Sequence, residues 1–317
     1  MYSKSDSTIW TGRQDDKHNN SSFRYHQIVQ VMTVDEALKR QENYIALISF
    51  ECDEGVRRNA GRVGAAHGPQ SIKSMLASVP WRLEDKAFID VGVVACEGAE
   101  LEKAQQQLGE NVSKLLQKGN RIIILGGGHE TLYGHYLGLR ASVGADAKIG
   151  IINIDAHFDL RKFDAQPSSG TMFHQILAED EHTGYMVLGI QQFGNTTELF
   201  ERADQFRVNY VLEEDLVAMD DHEIDTMIAE FIEQQQIVML TLCMDVLAAY
   251  AAPGVSAPSP FGLQPTFVRQ LIKQVVKHDK VRSFDICEVN PALDVDQRTA
   301  KLAAYYVNEV VSAFTKN

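Results

Sequence analysis

The side chains of this sequence best suited to chemistry are two aspartates and a histidine that alternate directly after an apolar segment. Asp155, His157 and Asp159 follow the strand-like residues 149–152 (Ile-Gly-Ile-Ile). In an extended chain, residues i, i+2 and i+4 point the same way, so these three side chains would converge on one point. Carboxylate oxygens with one imidazole suit Mn²⁺, Fe²⁺ or Zn²⁺ better than Ca²⁺. We expect a metal site here; the alternative is a strand end whose polar side chains merely face solvent.

A second candidate ligand follows three glycines. The apolar residues 121–125 run into the glycines at 126–128 and then into His129. Glycine lets the backbone turn sharply and come close to a bound group, so His129 could lean over the edge of a sheet. The alternative is a phosphate-binding loop, but the segment completes neither the Gly-x-Gly-x-x-Gly spacing nor the Gly-Lys-Ser/Thr spacing.

A third apolar segment also ends in candidate ligands. Residues 237–242 are followed by Cys243 and Asp245, which would share one face of a strand. A buried cysteine is most often a small hydrophobic residue, so Cys243 alone indicates little. Three strand ends with ligand-type side chains together indicate one shared metal site.

These segments resemble sequence blocks of the ureohydrolases, the family of arginase, agmatinase and formimidoylglutamase. Residues 155–159 match the family's Asp-Ala-His-x-Asp block, and residues 126–130 resemble its Gly-Gly-Asp-His-Ser block. Residues 241–245 and 252–254 resemble its Ser-x-Asp-x-Asp and Ala-Pro-Gly blocks. Residues 284–291 resemble its late Asp-x-x-Glu-x-Asn-Pro block. The blocks follow the family order, which identifies the chain as a member.

The resemblance implies two Mn²⁺ ions per subunit that share a water, lower its pKa and hold hydroxide for attack on an amidine carbon. By resemblance the ligands are His129 and Asp159 for one ion, His157 and Asp245 for the other, and Asp155 and Cys243 between them. Asp159 would also orient the hydroxide. Most relatives carry Asp at the position of Cys243; a thiolate is softer and favours Zn²⁺ or Fe²⁺ over Mn²⁺, which leaves one metal position in doubt.

The resemblance implies two further catalytic residues. The tetrahedral intermediate must expel an amine, which requires a proton donor, and His174 lies where relatives place a proton-shuttling histidine. The alternative for His174 is a surface or structural residue. Glu288 would pair with the cationic amidinium through charge-assisted hydrogen bonds; its alternative is an ordinary carboxylate at a strand end.

Positive charge beside this acidic site bears on the substrate. Arg161 stands where arginase-like relatives use a neutral Asn, and its planar guanidinium suits a carboxylate. More arginines occur in residues 55–62 (Gly-Val-Arg-Arg-Asn-Ala-Gly-Arg), and with residues 189–192 they resemble the formimidoylglutamases in particular. We expect Arg62 and Ser169 as further substrate contacts. The alternative for the arginines is salt bridging on a solvated surface.

The resemblance therefore implies hydrolysis of N-formimido-L-glutamate to L-glutamate and formamide, a step of histidine degradation. This substrate carries two carboxylates and one amidine, whereas Arg161 would repel a dication such as agmatine. Two alternatives stay open. One is another amidino or guanidino hydrolase, arginase-like or guanidinobutyrase-like; the other is a non-catalytic relative that has lost its paired metals through Cys243 and Gly128.

Apolar segments predict the eight strands of the sheet that must position these residues, at 45–50, 88–94, 121–125, 148–154, 185–190, 208–212, 237–243 and 281–287. Helical patterns such as 101–118 and 221–236 fall between most of them, which predicts a three-layer α/β/α fold with a mostly parallel sheet. In such folds function lies at the carboxyl ends of the strands. We expect residues 1–25 as a polar N-terminal arm and 26–317 as a single arginase-like domain.

Composition limits the partners and the location. The net charge of −13 argues against nucleic acid or an anionic membrane, although local charge still allows a small anionic substrate. Four cysteines without Cys-x-x-Cys pairs, no apolar signal core and no membrane-length apolar run favour the cytoplasm. A homo-oligomer is left open, because relatives commonly form one.

Overall fold

A computed structural model describes residues 1–83, 87–163 and 165–314. The strands are β1 (Tyr2–Ser3), β2 (Gln30–Val31), β3 (Ile45–Glu51), β4 (Phe88–Ala95), β5 (Arg121–Leu125), β6 (Ile149–Ile154), β7 (Thr183–Ile190), β8 (Asn209–Leu212), β9 (Ile237–Cys243) and β10 (Val281–Cys287). The α-helices are α1 (Tyr25–Ile28), α2 (Val34–Ala37), α3 (Glu54–Arg58), α4 (Gly68–Ala77), α5 (Leu101–Gln117), α6 (Thr131–Val143), α7 (Met172–Glu179), α8 (Thr197–Gln205), α9 (Glu213–Ala218), α10 (Asp221–Glu233), α11 (Pro265–Val276) and α12 (Arg298–Phe314).

All strands belong to one sheet, in the order β1-β4-β3-β5-β10-β9-β6-β7-β8, with β2 also paired to β4. Only β1 runs antiparallel to its neighbour among the described pairs. The eight predicted strands are confirmed as β3 to β10. The predicted total of eight was too low, because β1 and β2 are two-residue edge strands with no apolar run to signal them.

The central strands are buried on both faces, which explains their continuous apolar sequences. In β5, Ile123 and Leu125 pack into one hydrophobic cluster with α4, α10, α11 and α12. Ile122 and Ile124 point the other way, into a second cluster with α5, α6, α7 and α8. The alternation of one strand between two helical layers confirms the three-layer α/β/α fold. Within the described ranges, no helix combines the length and apolarity needed to cross a membrane.

Residues 1–25, expected as a polar arm, are tied to the sheet at several points. Strand β1 pairs with the end of β4. The Ser5 hydroxyl and the Trp10 indole N–H both donate to the buried carboxylate of Asp90, at 2.7 and 2.9 Å. Lys73 forms an ion pair with Asp90 at 2.8 Å. The arm thus completes a buried polar network; its division from a catalytic domain at residue 26 stays a prediction.

Four neighbouring strands bring the predicted motifs together. In the order β5-β10-β9-β6, the carboxyl ends lie side by side, and Cys287 at the end of β10 is in register with Cys243 at the end of β9. Ile154 at the end of β6 pairs with Leu242 of β9. Side chains that follow these four strands must therefore meet at one edge of the sheet.

Candidate metal centre

The loops after these four strands, together with residues that follow β3 and β7, line a cavity of about 110 Å³. Of the residues predicted for the site, those that line it are His129, His157, Asp159, Arg161, Ser169, Cys243, Asp245 and Glu288. Asp155 is fully buried beside them. Residues from the ends of four strands are thus brought to one place.

Asp155 stands between two groups of potential ligand atoms. Its Oδ2 lies 3.1 Å from Nδ1 of His129, which is itself 3.0 Å from Oδ2 of Asp159. Its Oδ1 lies 3.6 Å from Nδ1 of His157, which is 3.3 Å from Oδ2 of Asp245. One carboxylate therefore offers a different oxygen to each group, as a ligand shared by two ions would.

Cys243, which was predicted to lie between the two ions, is found with the first of these groups. Donor atoms of His129, Asp155 and Cys243 lie within 4.8 Å of one another, as do those of Asp155, His157 and Asp245. Burial raises the pKa of the Cys243 thiol, and the carboxylates of Asp155 and Asp245 raise it further. The thiol would ionise only if a cation offset this negative surrounding.

The charges at the site fit a divalent cation. Burial disfavours the imidazolium of His129, yet the carboxylates of Asp155 and Asp159 hold the pKa of His129 well above its ordinary value. Oδ1 of Asp245 is buried and has no hydrogen-bond partner among the described residues. A buried acceptor in an acidic cluster carries a desolvation cost that a bound cation would relieve. Nitrogen, oxygen and sulfur donors suit a borderline transition metal.

Two residues at the site have unusual backbone angles. Asp159 has φ of 50° and Glu288 has φ of 70°, in the left-handed region that non-glycine residues rarely adopt. The Glu288 backbone N–H donates to Gly127 O at 2.8 Å, and its Oε1 accepts the His129 backbone N–H at 3.0 Å. Such strain, held in place by surrounding contacts, is typical of functional sites.

The glycine run before His129 is required by close packing. A Cβ atom on Gly127 would lie 1.7 Å from the carbonyl oxygen of Cys52, so no side chain fits there. A Cβ atom on Gly128 would lie 2.1 Å from Oε2 of Glu130. Glu130 is fully buried, and burial raises its pKa to about 7. The space beside Gly128 is therefore filled by the Glu130 carboxyl group.

A hydrogen-bonded chain below the site orients His129. The Thr241 hydroxyl donates to Oδ1 of Asp285 at 2.6 Å, so its oxygen accepts Nε2–H of His129 at 3.0 Å. This arrangement leaves Nδ1 of His129 to face the carboxylates. Nδ1 of His135 lies 2.6 Å from the other Asp285 oxygen. Sequence reasoning assigned no role to Thr241, Asp285 or His135; the polar residue inside the apolar strand β10 was the available signal.

Asn195 holds the loop that carries the other ligands. Its Oδ1 accepts the backbone N–H of Phe158 at 3.1 Å, and its Nδ2 donates to the carbonyls of Ala156 and Gln191, each at 2.9 Å. These bonds fix the backbone on both sides of His157. From the sequence, Asn195 could not be distinguished from a plain turn residue.

Arg62 is not where we expected a substrate contact. Its guanidinium donates to the carbonyls of Ser256 at 2.8 Å and Val255 at 2.9 Å, and it is absent from the described residues that line the cavity. Arg62 therefore stabilises the loop that contains Val255 and Ser256. Of the neighbouring arginines, Arg57 and Arg58 form ion pairs with Glu54.

His174 also lies away from the cavity, contrary to expectation. It is on α7 one residue after Phe173, whose ring packs edge-on against His129 with centroids 6.1 Å apart. Successive helix residues point about 100° apart, so His174 turns to Phe206, at 5.5 Å between centroids. Burial lowers the His174 pKa, and Arg202 lowers it further. The structure does not support a proton shuttle at this position.

Replacing His174 by Gln is accordingly expected to change kcat by less than about 3-fold, because the side chain makes no contact with the cavity. Steady-state kinetics of the metal-loaded variant would measure this. A loss of about 100-fold or more, with the fold intact by circular dichroism, would restore the shuttle role.

Comparisons with known proteins agree with this geometry. The model of the arginase family matches residues 43–312. The chain is 53% identical over 320 residues to a formimidoylglutamase of Lysinibacillus sphaericus (strain C3-41), covering 98% of both chains. It is 40% identical over 309 residues to a formimidoylglutamase of Staphylococcus aureus (strain MRSA252), covering 97% of this chain and 99% of that one.

Two solved structures show the same fold at low sequence identity. Formimidoylglutamase from Bacillus subtilis subsp. subtilis str. 168 is 20% identical and superimposes with a TM-score of 0.83, covering 96% of each chain. Trypanosoma cruzi formiminoglutamase with Mn2+2 is 22% identical, with a TM-score of 0.79, covering 90% of this chain and 99% of that one.

Proposed function

We propose that this chain, which belongs to the arginase family, hydrolyses N-formimido-L-glutamate to L-glutamate and formamide, a step of histidine degradation. The observation that carries the proposal is a single cavity containing both the donor atoms around Asp155 and the guanidinium of Arg161. The first supports hydrolysis of an amidine, and the second supports an anionic substrate. Relatives that bear the name of this activity match 98% and 97% of the chain.

We propose two Mn²⁺ ions as the cofactor. His129, Asp159 and Cys243 would hold one ion, His157 and Asp245 the other, and Asp155 both. When bound, divalent ions at such a site lower the pKa of a water molecule and so supply a nucleophile at neutral pH. The related Trypanosoma cruzi protein with Mn2+2 supports this choice of metal. Cys243 makes the first position softer than a site built of oxygen and nitrogen alone.

The residues around the ions would divide the remaining tasks. Glu288 would pair with the amidinium, and Arg161 would bind a carboxylate. Burial and the nearby Asp155 raise the pKa of Asp159, although His129 opposes them. Asp159 would orient the attacking water, accept its proton and return it to the leaving nitrogen. A cytoplasmic location and a homo-oligomeric state stay predictions from the sequence.

Two alternative functions are weaker. A hydrolase of agmatine would have to bind a dication beside Arg161 at unfavourable cost. A non-catalytic relative would not need two ligand groups joined by one buried aspartate. Arginine and guanidinobutyrate each carry a carboxylate, so they remain the competitors that an assay has to include.

The test is turnover of metal-stripped protein reloaded with Mn²⁺, Zn²⁺ or Fe²⁺. We expect the Mn²⁺ form to release glutamate from N-formimido-L-glutamate with kcat/KM at least about 100-fold above that for arginine, guanidinobutyrate or agmatine, because only the first substrate combines an amidine with two carboxylates. A preference for arginine would replace the proposed substrate. No turnover together with no bound metal would favour the non-catalytic role.

A further inference from the structure

Asn59, directly after α3, lies in the wall of the cavity beside Arg161. Its Oδ1 is 2.9 Å from the donating Nη1 of Arg161 and 3.3 Å from the donating hydroxyl of Ser168. A guanidinium can only donate, so the amide must turn its oxygen to Arg161. The orientation of the Asn59 amide is therefore determined by its partners.

The NH₂ group of Asn59 is the unused half of this amide. It can donate two hydrogen bonds, and it has no partner within residues 1–83, 87–163 and 165–314. Since the oxygen is held by Arg161 and Ser168, the NH₂ group cannot exchange places with it. Asn59 thus offers N–H donors next to the guanidinium in the same cavity.

The surrounding loop makes this arrangement rigid. The Arg161 backbone N–H donates to the carbonyl of Gly170 at 2.9 Å. A Cβ atom on Gly170 would lie 3.1 Å from Oδ1 of Asn59 and 3.5 Å from Cδ of Arg161, so the three residues are closely packed. Arg58 donates to the carbonyl of Pro167 at 3.2 Å and joins α3 to this loop. The donors are in place before a ligand binds, which reduces the entropy lost on binding.

We propose that Asn59 and Arg161 together form the receptor for one of the two substrate carboxylates, and that Asn59 is a specificity-determining residue. The inference rests on the proposed function. Arg161 is the only Arg or Lys among the described residues that line the cavity, against the carboxylates of Asp159, Asp245 and Glu288. Donors from two side chains match the two oxygens of a carboxylate, and the amide adds no charge that would repel the amidinium.

The test compares Asn59→Ala and Asn59→Asp with wild type on three substrates: N-formimido-L-glutamate and its two mono-amides. For the parent substrate we expect kcat/KM to fall about 30-fold in N59A, chiefly through KM, and more than about 100-fold in N59D, which places a negative charge beside Arg161. For one of the mono-amides, which lacks the bound carboxylate, the effect of N59A should shrink to less than about 3-fold. The mono-amide on which N59A has this small effect identifies the substrate carboxylate that Asn59 and Arg161 bind.

A purely structural role would lower kcat/KM equally for all three substrates, and this result would overturn the inference. Arg57→Gln is the matched control, because Arg57 is an exposed residue of the adjacent α3 that pairs only with Glu54 among the described residues. It should behave as wild type. Thermal unfolding and bound Mn²⁺ should be the same in N59A and R57Q.

Direct binding separates this inference from the proposed function. Calorimetry of L-glutamate with the Mn²⁺-loaded protein requires no turnover. A dissociation constant raised about 10-fold or more in N59A supports the receptor even if N-formimido-L-glutamate is not hydrolysed. Equal affinities in wild type and N59A contradict the receptor, whatever the activity.

Discussion

Replacing Asp155 by Asn is expected to lower kcat/KM by on the order of 10³-fold, about 4 kcal/mol of transition-state stabilisation. The two oxygens of Asp155 face different histidines, His129 and His157. The amide of D155N would present an NH₂ group to one of these ligand groups, where it cannot bind a cation. We expect bound Mn²⁺ to fall from two ions per chain to at most one, measured by metal analysis after loading and by turnover.

The control for this variant is Asp146→Asn. Asp146 is exposed on the turn just before β6. Its replacement by Asn therefore removes the same charge without changing the site. It should retain both ions and wild-type turnover. Two ions in D155N together with near-wild-type activity would mean that Asp155 does not join the two metal positions.

Replacing Glu288 by Gln is expected to lower kcat/KM about 100-fold, equivalent to about 3 kcal/mol, with bound Mn²⁺ unchanged. Glutamine can still accept the backbone N–H of His129, but it carries no charge to pair with an amidinium. Burial, with help from Asp245 and Glu130, raises the pKa of Glu288 to about 8. A cation bound beside it would favour the ionised form. Steady-state kinetics and metal analysis of the same preparation measure both effects.

Glu288→Asp provides the comparison, because it keeps the charge but shortens the side chain. It should recover part of the activity that E288Q loses. Unchanged kcat/KM in E288Q would exclude Glu288 as the amidinium partner. Loss of bound metal in E288Q would instead indicate that Glu288 holds the metal ligand His129 in position.

The alternation of Asp155, His157 and Asp159 predicted a metal site, but its extended-chain geometry was wrong, because β6 ends at Ile154 and Asp159 has φ of 50°. The sequence did not contain the order β5-β10-β9-β6, which places four strand ends side by side. That order depends on long-range packing. The family resemblance supplied the missing information by linking the blocks to one site.

The sequence predicted which segments approach the site better than it predicted the direction in which each side chain points. His174 and Phe173 differ by one residue, yet the helix turn sends only Phe173 to His129. Arg62 was predicted to contact the substrate as Arg161 was, but its guanidinium donates to backbone carbonyls that no local sequence pattern reveals. The short edge strand β1 and the Trp10 contact to Asp90 depend on partners more than 75 residues away along the chain.

Anomalous diffraction from Mn²⁺-loaded crystals, recorded at the manganese absorption edge, would show directly whether the site holds two ions. We expect two peaks in each chain, one beside His129, Asp159 and Cys243 and the other beside His157 and Asp245. The electron density of Asp155 should show one carboxylate oxygen directed to each peak. A single peak, or peaks that do not contact Asp155, would contradict a two-ion hydrolytic site.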